Sequence, residues 1–64
     1  MSAETDECWY LMLDYFQGNE KKAQRWFITP NLALGKIAPL CMIAHGRTNK
    51  LLKFIKNAID GIYP

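Results

Sequence analysis

Apolar residues recur at helical spacing through the first third of the chain. One set lies at i, i+3, i+4 and i+7, the spacing of a single buried helix face, and a second set forms a stripe beside it. The first set is Trp9, Met12, Leu13 and Phe16, and the second is Cys8, Leu11 and Tyr15. The pattern predicts a helix over residues 5–17, with Thr5 as its N-cap and Gly18 as its left-handed stop. A helix that is apolar nearly all round must be covered on most sides.

Three shorter amphipathic segments follow, each bounded by capping residues, glycine or proline. They predict helices over residues 20–28, 39–45 and 49–60. Asn19 suits the N-cap of the first, and Thr48 or Asn49 suits that of the last. Pro39 fits position N1 of the middle helix, where its missing N–H costs nothing, and Gly61 is the predicted stop of the last. No alternating strand pattern competes, so we expect an all-α fold of four short helices in one domain.

An apolar corner, RWFITPNLALGKIAPL, interrupts this helical pattern at residues 25–40. Pro30 ends the second helix because proline disfavours the α conformation of the residue before it, and Gly35 permits the positive φ that closes a single turn. The following short helix is expected to bury Leu40, Ile43 and Ala44. Large apolar side chains throughout the stretch are not typical of a solvated linker.

Composition adds a surplus of apolar surface to this picture. The chain has 64 residues, 50% of them hydrophobic, with two Trp, three Tyr and three Phe. A domain of this size buries only about 60% of the surface that its unfolded chain exposes. A tight mini-bundle is one interpretation. We favour the other, a chain that dimerises or docks on a partner through the apolar surface left outside its core.

Charge is divided unevenly between the two parts of the chain. Residues 1–20 carry five acidic and no basic side chains, whereas residues 21–64 carry all eight basic side chains and one acidic one. We favour pairing of the acidic first helix with basic later helices over binding of nucleic acid or an acidic partner. Basic residues recur along the last helix, but a solvated amphipathic face explains them better, so we do not expect nucleic acid as a partner. These residues are Arg47, Lys50, Lys53 and Lys56.

Side chains that support catalysis or metal binding are scarce. His45 is the only histidine and ends a predicted helix, where a cap is the simpler interpretation. Cys8 and Cys41 lie inside apolar runs, where a free thiol behaves as a small hydrophobe. No cysteine spacing matches a zinc site, and no phosphate-binding loop occurs. We therefore expect neither enzymatic activity nor a cofactor nor a metal.

The ends and apolar runs of the chain also bear on where it acts. The acidic start MSAETDE lacks the basic flank and apolar stretch of a secretory signal. No apolar run reaches the ~18–20 residues that a membrane span requires. We expect a soluble protein with reduced thiols in the cytoplasm.

An ordered set of residues from Ala23 to Gly61 is more specific than any of these patterns. It reads AxxWFxTPNxALGxxxPLxMIxxGRxxKLLKFIxxAIDG, and it resembles the toxin-binding domain of Xre/MbcA/ParS-type antitoxins. These antitoxins belong to bacterial type II modules whose toxins carry a RES domain. The resemblance divides the chain into an aromatic N-terminal helix, residues 1–18, and an antitoxin-like module, residues 19–64.

The resemblance implies a structural role for the corner. In such a module Leu32 and Leu34 would pin the turn to the core, and Pro39 would restart the chain in a new direction. The residues expected to act as scaffold are Trp26, Thr29, Pro30, Asn31, Leu34, Gly35, Pro39, Leu40 and Gly61.

The resemblance also implies a function, a protein-binding inhibitor that neutralises a RES-type toxin. Such toxins are thought to consume NAD, and the antitoxin covers or plugs the active site. In family members the C-terminal region approaches the toxin's pocket, which makes these residues the expected contacts: Arg47, Lys50, Phe54, Ile62 and Tyr63. The first helix is more aromatic than expected for the family, so Trp9 and Tyr10 are expected in a self-association seam or a partner face.

One departure from the family pattern keeps an alternative function open. Longer family members carry an N-terminal helix-turn-helix region for which this chain has no room, so regulation by direct DNA binding is not expected. A phage or mobile-element protein with the same fold, inhibiting a host defence complex or regulator, is the alternative function.

Overall fold

The computed structural model describes residues 2–62, with the side chains of residues 2–61. In chain order the helices are α1 (Ala3–Tyr15), α2 (Glu20–Ile28), α3 (Pro39–Ala44) and α4 (Thr48–Ile62), and a 3-10 turn, Leu32–Leu34, lies between α2 and α3. This part of the chain contains no strand, only an isolated antiparallel bridge between Asn31 and Ile37. The predicted all-α class is confirmed. Each described helix falls short of the length and hydropathy that a membrane span needs.

The start of α1 lies two residues earlier than the sequence pattern predicts. Ser2 is the N-cap, because its hydroxyl accepts a hydrogen bond from the backbone N–H of Thr5 at 3.2 Å. The predicted cap, Thr5, is therefore inside the helix. The helix also ends earlier, since both Gln17 and Gly18 adopt positive φ, 58° and 81°. The Gly18 N–H donates to the carbonyl of Leu13 at 2.8 Å, which closes the C-terminus.

The bounds of α2 agree with the sequence prediction. The Asn19 side chain accepts a hydrogen bond from the Lys22 N–H at 3.1 Å, which caps the N-terminus. At the other end the Thr29 hydroxyl donates to the Arg25 carbonyl at 2.6 Å. Thr29 itself is extended, with φ −94° and ψ 129°, as expected of a residue that precedes proline.

Asn31 organises the corner between α2 and α3. Its side chain accepts from the Ala33 N–H at 2.9 Å, and its backbone carbonyl accepts from the Lys36 N–H at 2.9 Å. Its own N–H donates to the carbonyl of Ile37 at 3.1 Å. Gly35 closes the turn with φ 79°. The corner is thus held mainly by backbone and amide hydrogen bonds.

Two expectations about apolar packing in this region are wrong. Leu32 is 79% exposed and cannot pin the corner, while Leu34 does pack against the core. Leu40 is 50% exposed, and Ala44 is exposed as well. The reason is that α3 has only six residues, so it presents little more than one turn to the core; Pro39 is its fully buried member.

The end of α4 also differs from the prediction. The helix continues through Gly61, which was expected to stop it. Unlike Gly18, Gly35 and Gly46, Gly61 does not have a positive φ, so it does not supply a left-handed cap.

The core lies mainly between α1 and α4, with α2 across one side. Its buried members are Cys8, Met12, Phe27, Leu51, Leu52 and Ile55. On α1 the most buried line runs through Cys8 and Met12, one residue from each of the two predicted stripes. Trp9 and Phe16 pack at its edge and stay half-buried. The residues of α1 therefore share one core with the rest of the chain.

We predict different effects on stability for alanine substitutions at two glycines, although neither substitution would cause a steric clash. A Cβ added at Gly35 or Gly61 would have no heavy atom within 4 Å. Gly35→Ala should lower the free energy of unfolding by about 1–2 kcal/mol, because alanine resists the left-handed conformation. Gly61→Ala should leave stability unchanged or raise it by up to about 1 kcal/mol, because glycine weakens helices. Urea unfolding measures both, and an equal loss of stability in the two variants would contradict the assignment.

Candidate functional site

A cleft lined largely by aromatic and aliphatic side chains lies where α1, α2, α4 and the corner meet. We call it the aromatic cleft; its lining residues are Met12, Tyr15, Trp26, Asn31, Phe54, Ile55, Ala58 and Ile59. Its volume is about 130 Å³. Trp26 was expected to be buried scaffold, but it is only half-buried and forms one wall. The cleft is therefore a candidate binding site for an apolar group.

Aromatic contacts hold the walls of the cleft. The Trp26 ring meets Phe27 edge to face, with centroids 5.0 Å apart and planes at 89°. Tyr15 packs in the same manner on Phe16, at 5.1 Å and 82°. Such pairs contribute about 0.5–1.5 kcal/mol beyond their area burial. Because Phe27 is itself in the core, the Trp26 wall is anchored before any ligand arrives.

Basic side chains lie beside the cleft on two elements. Lys50 lies one helical turn before Phe54 on α4, so the two share a face. On α2, Trp26 also lines a shallow depression with Phe16, Lys22, Arg25 and Thr29. The sequence analysis did not assign Lys22 and Arg25 to a site; their positions at i−4 and i−1 from Trp26 were the signal that could have placed them here.

Pairing between acidic α1 and basic α4 is only partial. Within residues 2–61 a single ion pair forms, between Lys56 Nζ and Glu7 Oε2 at 3.0 Å, and both side chains are about half exposed. The Asn49 amide also faces the Glu4 carboxylate. These contacts lie on one side of α4. The expected pairing of the acidic first helix with the basic later helices therefore occurs on that side of α4. Lys50 has no acidic partner within residues 2–61.

The structure distributes the predicted contact residues over separate surfaces. Phe54 lines the aromatic cleft, and Lys50 lies one helical turn before it on α4. Arg47 precedes α4 and lines another depression, with Ile37, Cys41, Met42 and His45. The side chain of Ile62 and all of Tyr63 lie outside the described residues.

Trp9 and Tyr10, the predicted contacts of the first helix, lie on another part of the surface. Trp9 is half-buried against Phe27, with ring centroids 5.9 Å apart, and Tyr10 is 65% exposed. Trp9 lines what we call the apolar groove, of about 230 Å³, with Thr5, Gln24, Phe27, Ile28, Leu40 and Ile43. The exposure of Ile28 and Leu40 beside it was not predicted.

Titratable groups provide little chemistry in the described residues. His45 Nδ1 donates to the carbonyl of Cys41 at 2.8 Å, so the imidazole closes the end of α3 as a cap would. No cluster of three or more metal-ligating side chains occurs among residues 2–61. The two cysteines are both free, with Cys8 buried and Cys41 exposed.

Burial raises the pKa of the Cys8 thiol above its ordinary value, and the nearby carboxylates of Glu7 and Glu4 raise it further. Its backbone hydrogen bond and the Lys56 ammonium act in the opposite direction with smaller effect. The thiolate is thus disfavoured in the folded chain, and Cys8 is a packing residue rather than a nucleophile.

We predict that thiol reagents distinguish the two cysteines. Cys41 should react with a disulfide reagent on mixing, and Cys8 only as fast as the fold opens. The raised pKa of Cys8 also predicts a pH dependence of the free energy of unfolding. This free energy should be constant below the ordinary thiol pKa of about 8.5. It should fall as the pH rises from there through the higher pKa of the folded state, because the Cys8 thiol of the unfolded chain loses its proton first. A Cys41→Ser variant isolates the slow phase, and rapid reaction of Cys8 in the native protein would contradict this assignment.

In comparisons with known proteins, no protein-family model, no curated protein and no solved structure matches this chain.

Proposed function

We propose that the protein is a binding module that inhibits a protein partner, and that it acts in the cytoplasm without catalysis or a cofactor. The observation that carries the proposal is the aromatic cleft, an apolar recess with half-exposed walls, and the basic side chains near it that form no ion pair within residues 2–61. Interface hot spots are enriched in aromatic residues and arginine seated in such recesses. A folded chain with this surface has a place for a partner's side chain and no cluster of catalytic groups in its described residues.

The resemblance of residues 23–61 to Xre/MbcA/ParS-type antitoxins supports a class of partner, a toxin with a RES domain. Of the contacts implied by that resemblance, Phe54 lines the cleft and Lys50 lies one turn before it on α4. The antitoxin-like function is then inhibition by occupation, in which the chain covers the toxin's active site and stops the consumption of NAD.

We predict that filling the cleft abolishes inhibition of the partner. Ala58→Trp places a bulky ring in the cleft, while Asn57→Trp places the same ring on a part of α4 that does not line it; both residues are exposed. In an assay of NAD consumption by a RES-domain toxin, Ala58→Trp should inhibit at least about tenfold less well, the loss of ~1.4 kcal/mol of binding. Asn57→Trp should inhibit like the natural chain, and circular dichroism should show both variants helical.

Equal inhibition by the two variants would reject the cleft as the contact. A natural chain that leaves NAD consumption unchanged would reject the toxin as its partner. If the natural chain, but not Ala58→Trp, then retained a host defence complex or a transcriptional regulator on a column, the alternative inhibitor function would replace the antitoxin-like one.

We also propose weak self-association, because several large apolar side chains remain exposed outside the core. Tyr10 and Ile28 are 65% and 64% exposed. A stable interface needs about 800 Å² from each partner, a large share of this chain's 4757 Å². The association should therefore be concentration-dependent. Light scattering should show a mass that rises with concentration, and Ile28→Glu should suppress the rise; a monomeric mass at every concentration would refute it.

A further inference from the structure

The basic residues beside the aromatic cleft approach it from two helices. Lys22 and Arg25 line the depression that shares Trp26 with the cleft, and Lys50 lies one helical turn before Phe54 on α4. All three are exposed, and none belongs to an ion pair within residues 2–61. Positive charge therefore lies next to two of the side chains that line the cleft, Trp26 and Phe54.

Acidic side chains do not compensate this positive charge. Asp14 and Asp60 are exposed, and neither forms an ion pair with Lys22, Arg25 or Lys50 within residues 2–61. Glu4 and Glu7 contact α4 on its other side. The net charge of the whole chain is only +2, so the positive potential at the cleft comes from this separation of acidic and basic faces.

The size of the cleft limits what fits inside it. Sites for drug-sized ligands span about 300–1,000 Å³, and the aromatic cleft holds about 130 Å³. An apolar cavity of about 150 Å³ accepts a benzene molecule. The cleft therefore matches one branched or aromatic side chain, and the groups flanking that side chain would face the basic side chains beside the cleft.

We infer that the aromatic cleft binds an acidic segment of a protein partner, with one apolar side chain of that segment seated between Trp26 and Phe54. The carboxylates around the anchor contact Lys22, Arg25 and Lys50. This inference rests on the proposed function as a binding module, and it adds the chemistry of the segment recognised. Complementary charge mainly accelerates encounter and selects the partner, while the anchor supplies most of the contact energy.

Geometry favours a protein segment over single-stranded nucleic acid, which also pairs basic and aromatic groups. Bases stack on open ring faces. Trp26 and Phe54 are half-buried, and Trp26 is held at 89° to Phe27. A recess closed in this way takes the tip of a side chain more readily than a stack of planar bases.

Titration of the isotope-labelled chain with synthetic peptides tests the inference. One short peptide carries a central Leu among Asp and Glu residues, and a second carries Ser at that position. The Leu peptide should shift the Trp26 indole and Ala58 amide resonances saturably, and the Ser peptide should bind at least about tenfold more weakly. Raising the salt concentration should weaken the Leu peptide's binding, because exposed charges are screened.

Adjacent lysines on α2 supply a matched pair of variants. Lys22→Glu reverses a charge in the depression beside the cleft, and Lys21→Glu makes the same change on the preceding residue, which lines neither the cleft nor the depression beside it. Lys22→Glu should bind the Leu peptide several-fold more weakly, and Lys21→Glu should bind it normally.

Three results would overturn the inference: equal binding of the Leu and Ser peptides, equal binding by the two variants, or tighter binding of an oligothymidylate than of the Leu peptide. The chain's proposed inhibitory function fails separately. If the natural chain inhibits the toxin while the peptides do not bind, only the inference is lost; if the peptides bind while the natural chain leaves NAD consumption unchanged, only the proposed inhibition of a toxin is lost.

Discussion

The packing of α1 against α4 is the contact on which the rest of the structure depends. The line Cys8–Met12 on α1 meets Leu51 and Ile55 on α4, and these residues include the most completely buried side chains of the chain. Neither α2, with nine residues, nor α3, with six, is long enough to be stable alone. Both acquire their positions by packing at the edge of the α1–α4 pair, so the short helices and the corner depend on it.

The same packing explains why aromatic side chains remain at the surface. A chain of this size buries one narrow stripe from each long helix, and the side chains beside the stripe are covered on one side only. Trp9, Trp26 and Phe54 all occupy such positions. The aromatic cleft and the apolar groove are therefore edges of a small core, and their half-buried rings are held firmly on the side that faces the protein.

Sequence patterns predicted the fold class, both bounds of α2 and the start of α3, because caps and prolines are local signals. Asn19 and Pro39 mark their helices as expected. The orientation of α1 was not predictable, since a helix that is apolar nearly all round does not show which stripe faces its partner. The exposure of Leu40 depends on the shortness of α3, and the half-exposure of Trp26 depends on how α2 packs at the edge of the α1–α4 pair; neither is encoded in the local pattern. For that reason Trp26 was assigned to buried scaffold, whereas the amphipathic pattern of α4 placed Lys50 and Phe54 on one helix.

The uneven charge of the sequence has a more specific meaning once the helices are placed. Glu4 and Glu7 approach one side of α4, where Glu7 forms an ion pair with Lys56 and Glu4 faces the neutral amide of Asn49. If that pairing were the whole purpose of the basic residues, they would cluster on the α1 side of α4. Instead Lys22 and Arg25 line the depression beside Trp26, Lys50 lies one turn before Phe54, and none of the three forms an ion pair within residues 2–61. Pairing inside this part of the chain does not account for these three residues, which is why we propose a partner that carries the opposite charge.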